Sequence, residues 1–330
     1  MKQMLIANHE TDKRGNRDGY VDAMLELMEQ DDRIVHIDCD LMGCINAKKL
    51  QAIYPDRTLN AGIAEQNAVA VAGGMAAAGM KVFVHSFGCF ASRRAFDQAF
   101  LAAGYSGVPV HIIGSDPGVT AAFNGATHMP FEDAALYMTI PNAVVVDSCD
   151  YVQTRFMTKA LAGIPNVSYL RLIRKEFQTI YADGAQFEIG KGVTLREGKD
   201  VTIIASGILL DESLKAEEEL KKKGISARVI DMHTWKPLDE ELIVRAAEET
   251  GCIVTAENHQ AGCGLGSAVA NVVVKKRPVP MEMVGIQNRF GQVGSRDFLM
   301  KEYHLLSEDI VAAAEKAIAR KAGKSWKNCR

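Results

Sequence analysis

Residues 60–79 read N-A-G-I-A-E-Q-N-A-V-A-V-A-G-G-M-A-A-A-G, and the fold turns on how this stretch is placed. Asn60 and Gly62 close the preceding loop. From Ala64 to Ala78 small apolar residues follow one another almost without a break, which predicts a helix. Such a helix has no polar face and little side-chain bulk, so it is expected to be packed closely on several sides, with Glu65 in its first turn carried inside. Two readings of that carboxylate stand side by side. It complements the positive end of the helix dipole, or it is a buried acid with a chemical task, because buried carboxylates are costly unless paired or used.

Outward from this helix, short apolar runs alternate with amphipathic segments, the pattern of a parallel sheet flanked by helices. Strands are predicted at 33–38, 81–85, 108–114, 143–147 and 167–172, with helices at 18–30, 94–105, 132–138 and 151–163. These make one doubly wound α/β domain over residues 1–174. Residues 175–199 break the rhythm with glycines and charges, as a linker or edge hairpin would. The alternation then restarts over 200–330, with strands at 201–205, 227–230, 252–256 and 281–284 and helices at 211–223, 239–250, 267–276 and 308–321. A length of 330 residues suits two such domains.

The composition is that of a globular protein, 48% apolar and 24% charged, and the net charge of -3 gives no footprint for nucleic acid or an anionic membrane. The start, M-K-Q-M-L-I-A-N-H-E-T-D-K-R-G, turns polar too soon for a signal peptide or anchor. No run reaches the roughly 18 apolar residues of a membrane span. Seven cysteines (Cys39, Cys44, Cys89, Cys149, Cys252, Cys263, Cys329) form no C-x-x-C pair and read as reduced thiols of a cytoplasmic protein. Eight scattered histidines give no metal-binding spacing.

Three motifs carry the functional argument. The turn G-C-G-L-G-S (262–267) offers glycines at a helix start but has Ser267 where a dinucleotide fingerprint needs its third glycine, which favours a plain tight turn. The run F-V-H-S-F-G-C-F-A-S-R-R-A-F-D-Q (83–98) sets Phe87 and Phe90 beyond the carboxyl end of a strand, where doubly wound sheets bind ligands, although aromatics three apart also pack in cores. Core packing gives no reason for the adjoining Arg93 and Arg94. The loop S-D-P-G-V-T-A-A-F-N-G-A-T-H-M-P-F-E-D (115–133) brings Asp116, Asn124, Thr127 and His128 towards the same edge.

Taken in order, G-I-A-E-Q, F-G-C-F-A-S-R-R-A-F-D-Q, G-A-T-H-M-P-F-E-D, I-P-N and Y-L-R-L-I-R resemble the C-terminal half of transketolases, in the split form where that half is a separate chain. The resemblance covers nearly the whole sequence. It implies a pyrimidine-binding domain for thiamine diphosphate up to about residue 174 and a transketolase C-terminal-like domain from 200 onward. Glu65 matches the glutamate that meets N1' of the cofactor's aminopyrimidine and shares a proton there; burial raises the pKa of a carboxyl group, which suits such sharing near neutral pH. Phe90 and Phe87 match the aromatic wall against that ring, and Asp40, in D-C-D-L, the acidic residue near the cofactor at the subunit boundary. His128 matches a substrate-contacting histidine, and Arg174 and Arg94 match arginines that hold a sugar phosphate.

Enzymes of this kind hold Mg2+ and diphosphate with G-D-G and a later Asn, and the sequence has no G-D-G. The resemblance therefore implies an N-terminal-half partner that carries this motif and binds most of the Mg2+, in an assembly such as α2β2. Phe123-Asn124 stands where transketolases have Glu-Asp, and Asp116 where they have an earlier histidine; both positions touch the donor's hydroxyls. The expected activity is transfer of a two-carbon ketol unit from a ketose to an aldose. Deoxyxylulose-phosphate synthases and the β subunits of 2-oxoacid dehydrogenases share parts of the pattern, and a non-enzymatic regulatory subunit is a further alternative.

Overall fold

Continuous apolar runs such as Ile34–Asp38, Lys81–Phe87 and Val110–Ser115 are buried along almost their whole length, as strands covered on both faces must be. The computed structural model describes residues 5–323 of the chain; Cys329 and the first four residues of the opening stretch lie outside them. The first sheet has seven strands, in the order Thr234–Lys236, Val144–Asp147, Ser168–Leu172, Val110–Ser115, Lys81–Phe87, Ile34–Asp38 and Thr58–Asn60. All neighbours are parallel except Thr234–Lys236, which runs antiparallel on Val144–Asp147. From Ile34–Asp38 the chain steps outward to Thr58–Asn60 and then returns to Lys81–Phe87 on the other side. That reversal puts a crevice at the carboxyl ends of these strands.

The second sheet has five strands, in the order Met281–Ile286, Ile253–Gln260, Val201–Ala205, Ala227–Asp231 and Val193–Arg196, the last antiparallel. The segment read as a linker or edge hairpin supplies two short strands, one to each half. Glu176–Gln178 pairs with Thr11–Gly15, and Val193–Arg196 is an edge strand of the second sheet. Helices cover both sheets, and each of the two apolar cores draws residues from both halves, so Tyr20 and Met24 share one with Val201 and Leu214. No helix among the described residues is long and apolar enough to cross a membrane.

The helix of residue 65 spans Glu65–Ala77. It is not packed on several sides within this chain: Glu65, Ala68, Val69, Ala72 and Ala76 are buried, while Ala70, Val71, Gly74, Ala77 and Ala78 are exposed. The segment expected as one helix over 94–105 is a short α turn, Phe96–Gln98, between wider turns at Phe90–Arg94 and Ala99–Tyr105. Wide turns of this kind occur mostly as local bulges in helices, frequently at functional sites.

Candidate active site

Glu65 is 2% exposed. Its Oε1 accepts from Ser86 Oγ at 3.0 Å and its Oε2 from Arg94 Nη1 at 2.7 Å. The wide turn at Phe90–Arg94 turns Arg94 back over its own neighbour, and the guanidinium lies 4.1 Å from the Phe90 ring centre. Phe90 and Phe87 lie with ring centres 6.3 Å apart, and His128 meets both edge-on at 5.1 and 5.7 Å. A buried carboxylate is thus bridged by Arg94 to an aromatic wall that ends in an imidazole. Each carboxylate oxygen has a second lone-pair direction, so Glu65 keeps capacity for one more ring N–H donor.

A buried polar chain supports this edge from below. His85 Nδ1 lies 2.7 Å from Asp38 Oδ2, and its Nε2 is 3.1 Å from Ser115 Oγ. Burial acts to raise Asp38, but His36 and His85 outweigh it and hold the carboxyl below the ordinary range. Burial also lowers His85. The neutral ring then carries its proton on Nδ1, donates to the Asp38 carboxylate and accepts from Ser115. Asp38 further accepts from the Leu41 amide and so shapes the turn that carries Asp40. Asp40 itself is exposed, with φ +63, and pairs with Asn60 across the strand ends.

On the other flank, Asp116 is buried and accepts from Arg174 Nε at 3.1 Å, while its Oδ2 has no hydrogen-bond partner. Burial pushes Asp116 up to about 6, against the opposing charge of Arg174. Arg174 also lies 5.6 Å from the Phe87 ring centre, which links Asp116 to the aromatic wall. A cleft of about 350 Å³ opens here, lined by Thr120, Phe123, Lys175 and Arg296 as well as Asp116 and Arg174. The structure therefore joins Glu65, Phe87, Phe90, Arg94, His128, Arg174 and Asp116 in one chain of contacts. Asn124 and Asp40 stand exposed. Arg94 pairs with Glu65 through Nη1, and its side chain is 40% exposed.

Ser86, Asp38 and His85 do not stand out in their sequence neighbourhood. The available signal is strand alternation: Ser86, next to last in the strand, points to the face opposite His85 and Phe87, toward Glu65. The turn G-C-G-L-G-S proves to be occupied by the protein's own carboxylate. Glu257 accepts from the amides of Leu265 and Gly266 at 2.7 Å each, and a Cβ at Gly264 would lie 1.9 Å from Glu257 Oε2. Burial raises Glu257 to about 8, and its two backbone donors oppose that rise. The helix start that a phosphate would use is filled. Among the described residues no group of three or more His, Cys, Asp or Glu is arranged to hold a metal ion.

Comparison with known proteins places this geometry. The transketolase pyrimidine binding domain matches residues 12–179, and the transketolase C-terminal domain matches residues 190–310. The chain belongs to the transketolase family. A 6-deoxy-6-sulfo-D-fructose transketolase subunit from Clostridium sp. (strain MSTE9) is 44% identical over 305 residues, covering 92% of this chain and 95% of that one. An apulose-4-phosphate transketolase subunit from Phocaeicola vulgatus is 37% identical over 299 residues, with 90% and 96% covered. A solved structure described as a split gene transketolase, inactive beta4 tetramer, superposes with a TM-score of 0.88 at 38% identity, over 93% of this chain and 99% of that chain. Human transketolase is 33% identical, and the match spans 94% of this chain but 50% of the human one. The transketolase fold and the split-subunit relatives agree with the expectation from sequence.

Proposed function

We propose that this transketolase-family chain is the pyrimidine-binding half of a thiamine-diphosphate-dependent enzyme that moves a two-carbon ketol unit from a ketose donor to an aldose acceptor. The observation that carries the reading is Glu65, 2% exposed at the carboxyl edge of a doubly wound sheet and joined through Arg94 to the wall of Phe87, Phe90 and His128. The donor set fits the cofactor's aminopyrimidine: an apolar wall for a flat ring, and a carboxyl group able to exchange a proton with a ring nitrogen. When bound, thiamine diphosphate supplies the nucleophilic carbon and the electron sink for breaking the ketose C2–C3 bond.

The chain's own residues divide the remaining work. Glu65 holds the proton at the ring nitrogen. Ser86 orients one of its oxygens and Arg94 balances the charge on the other. Phe87 and Phe90 keep water from the ring face. His128 and Asn124 meet the donor's hydroxyls, and Arg174, oriented by Asp116, meets its acidic group. Two relatives are described by a sulfo sugar and a phosphorylated one, which favours a ketose donor with a strongly acidic terminus. Asn124 and Asp116 replace the family's usual residues and favour a donor other than xylulose 5-phosphate.

Mg2+ and the diphosphate are assigned to an N-terminal-half partner with G-D-G and a later Asn, because this sequence has no G-D-G. The exposed apolar face of the Glu65 helix, with Val71 at 44% exposure and extended by Ile63 at 76%, is the surface such a partner would cover in an α2β2 assembly. Calorimetry tests the division of labour. The isolated chain is expected to show no tight cofactor binding, and the reconstituted pair to show Mg-dependent binding. Micromolar Mg-dependent affinity in the isolated chain would overturn the split-site reading.

A further inference from the structure

The loop that carries Asp116, Asn124 and His128 belongs to the first half of the chain, yet its neck is held by the second. Asn258, near the end of strand Ile253–Gln260 and 2% exposed, donates through Nδ2 to the Pro117 carbonyl at 2.9 Å. Its Oδ1 accepts from the Val119 amide, also at 2.9 Å. Two residues on, the Gln260 amide donates to the Phe131 carbonyl at 2.9 Å, and within the loop the Gly118 amide donates to Pro130 at 3.1 Å. Both ends of the loop are thus tied to each other and to one strand end of the C-terminal half.

The fit leaves no slack. Gly118 has φ +54, and a Cβ there would lie 2.2 Å from Asn258 Oδ1. Behind the loop, fully buried Arg171 donates to the Asn258 carbonyl at 2.9 Å and to Asp133 Oδ2 at 3.0 Å, so the backbone of Asn258 is itself fixed by the first sheet. A primary amide matches this pair of backbone groups without a charge or a proton to take up, because it presents one acceptor and one donor side by side, which an ionised carboxylate of the same length does not.

We infer that Asn258 is a positioning residue for the transfer reaction: it clasps the neck of the substrate-facing loop and so places Asp116 and His128. The role in turnover rests on the proposed function, whereas the clasp does not. Asn258→Asp keeps the acceptor for Val119 and sets a carboxylate oxygen against the Pro117 carbonyl. Asn258→Ala removes both bonds.

The assembled pair is the material for the test. Asn258→Ala should raise the donor KM at least about tenfold, as loosened positioning does, with thiamine diphosphate affinity kept within about twofold. Asn258→Asp should fall between this variant and the wild type. Hydrogen exchange should quicken in residues 117–131 in the same order. Val254→Ala, buried in the same strand away from the loop, is the control for lost stability: it should lower Tm and leave KM unchanged. A wild-type KM in Asn258→Ala, or a rise in KM matched by Val254→Ala at equal loss of Tm, would overturn the inference. If the pair turns over no ketose at all, the proposed function fails and exchange alone decides the clasp, with unchanged exchange in residues 117–131 counting against it.

Discussion

Glu65→Gln preserves the shape of the side chain and removes its charge and its exchangeable proton. Ser86 Oγ can still donate to the amide oxygen, but the amide nitrogen then faces the guanidinium that now lies 2.7 Å from Oε2, donor against donor. The Arg94 side chain is 40% exposed and can turn to water, so the predicted loss of stability is small, about 1 kcal/mol. The kinetic loss is far larger. Acid-base assistance contributes roughly 10²–10⁴ in rate, and its lower limit corresponds to about 2.7 kcal/mol of barrier. Arg94→Leu is the reverse perturbation. It strands the buried carboxylate with Ser86 and should cost about 2–3 kcal/mol, less than the roughly 3–5 of breaking a fully buried pair because one partner was 40% exposed. Steady-state turnover of the reconstituted pair at saturating cofactor, with denaturant unfolding of each variant, measures both effects. Glu65→Gln turning over within tenfold of the wild type, or equal destabilisation by the two variants, would refute the reasoning.

Further expectations concern the substrate loop and the second sheet. Because Asp116 is raised to about 6, its carboxylate and its charge pairing with Arg174 are present above that pH and lost below it; donor kcat/KM should fall as pH drops through about 6, and Asp116→Asn should abolish that limb. Stability runs the opposite way, since a folded state with a raised carboxyl pKa is favoured by acid, and Asp116→Asn should flatten the dependence between about pH 4 and 6. Asn124→Asp should shift the ratio of kcat/KM values toward xylulose 5-phosphate relative to the preferred donor; an unchanged ratio would remove this position from donor choice. Glu257→Gln leaves either the Leu265 or the Gly266 amide without an acceptor and should cost about 1–3 kcal/mol in equilibrium unfolding, with donor KM unchanged.

The parallel strands are legible in the sequence because burial on both faces makes them continuous apolar runs; the expected strand at 201–205 is the observed Val201–Ala205. The short strands Thr11–Gly15, Thr58–Asn60 and Thr234–Lys236 are not, since three to five mixed residues at a margin carry no period, and partners far along the chain decide them. Much the same division holds at the site. Glu65, Phe87, Phe90 and His128 stand in compact motifs, and the structure gathers them. The exposed face of the Glu65 helix escapes a sequence reading because Ala, Val and Gly look the same whether covered by their own chain or left bare. Asn258 cannot be found locally, since its meaning depends on the carbonyl and amide of a loop in the other half.

One short strand has a consequence for synthesis on the ribosome. Residues Thr234–Lys236 complete the sheet of the first half by pairing with Val144–Asp147, with Thr234 opposite Val146. Until those residues emerge, the nascent sheet ends in an unpaired ladder, the kind of margin that recruits foreign backbone. The first half therefore leaves the exit tunnel unfinished and reaches its final form only when much of the second has followed. A nascent chain in which Val144–Asp147 has emerged and residues 234–236 are still inside the tunnel would hold that edge bare, and one in which both have emerged would hold it covered.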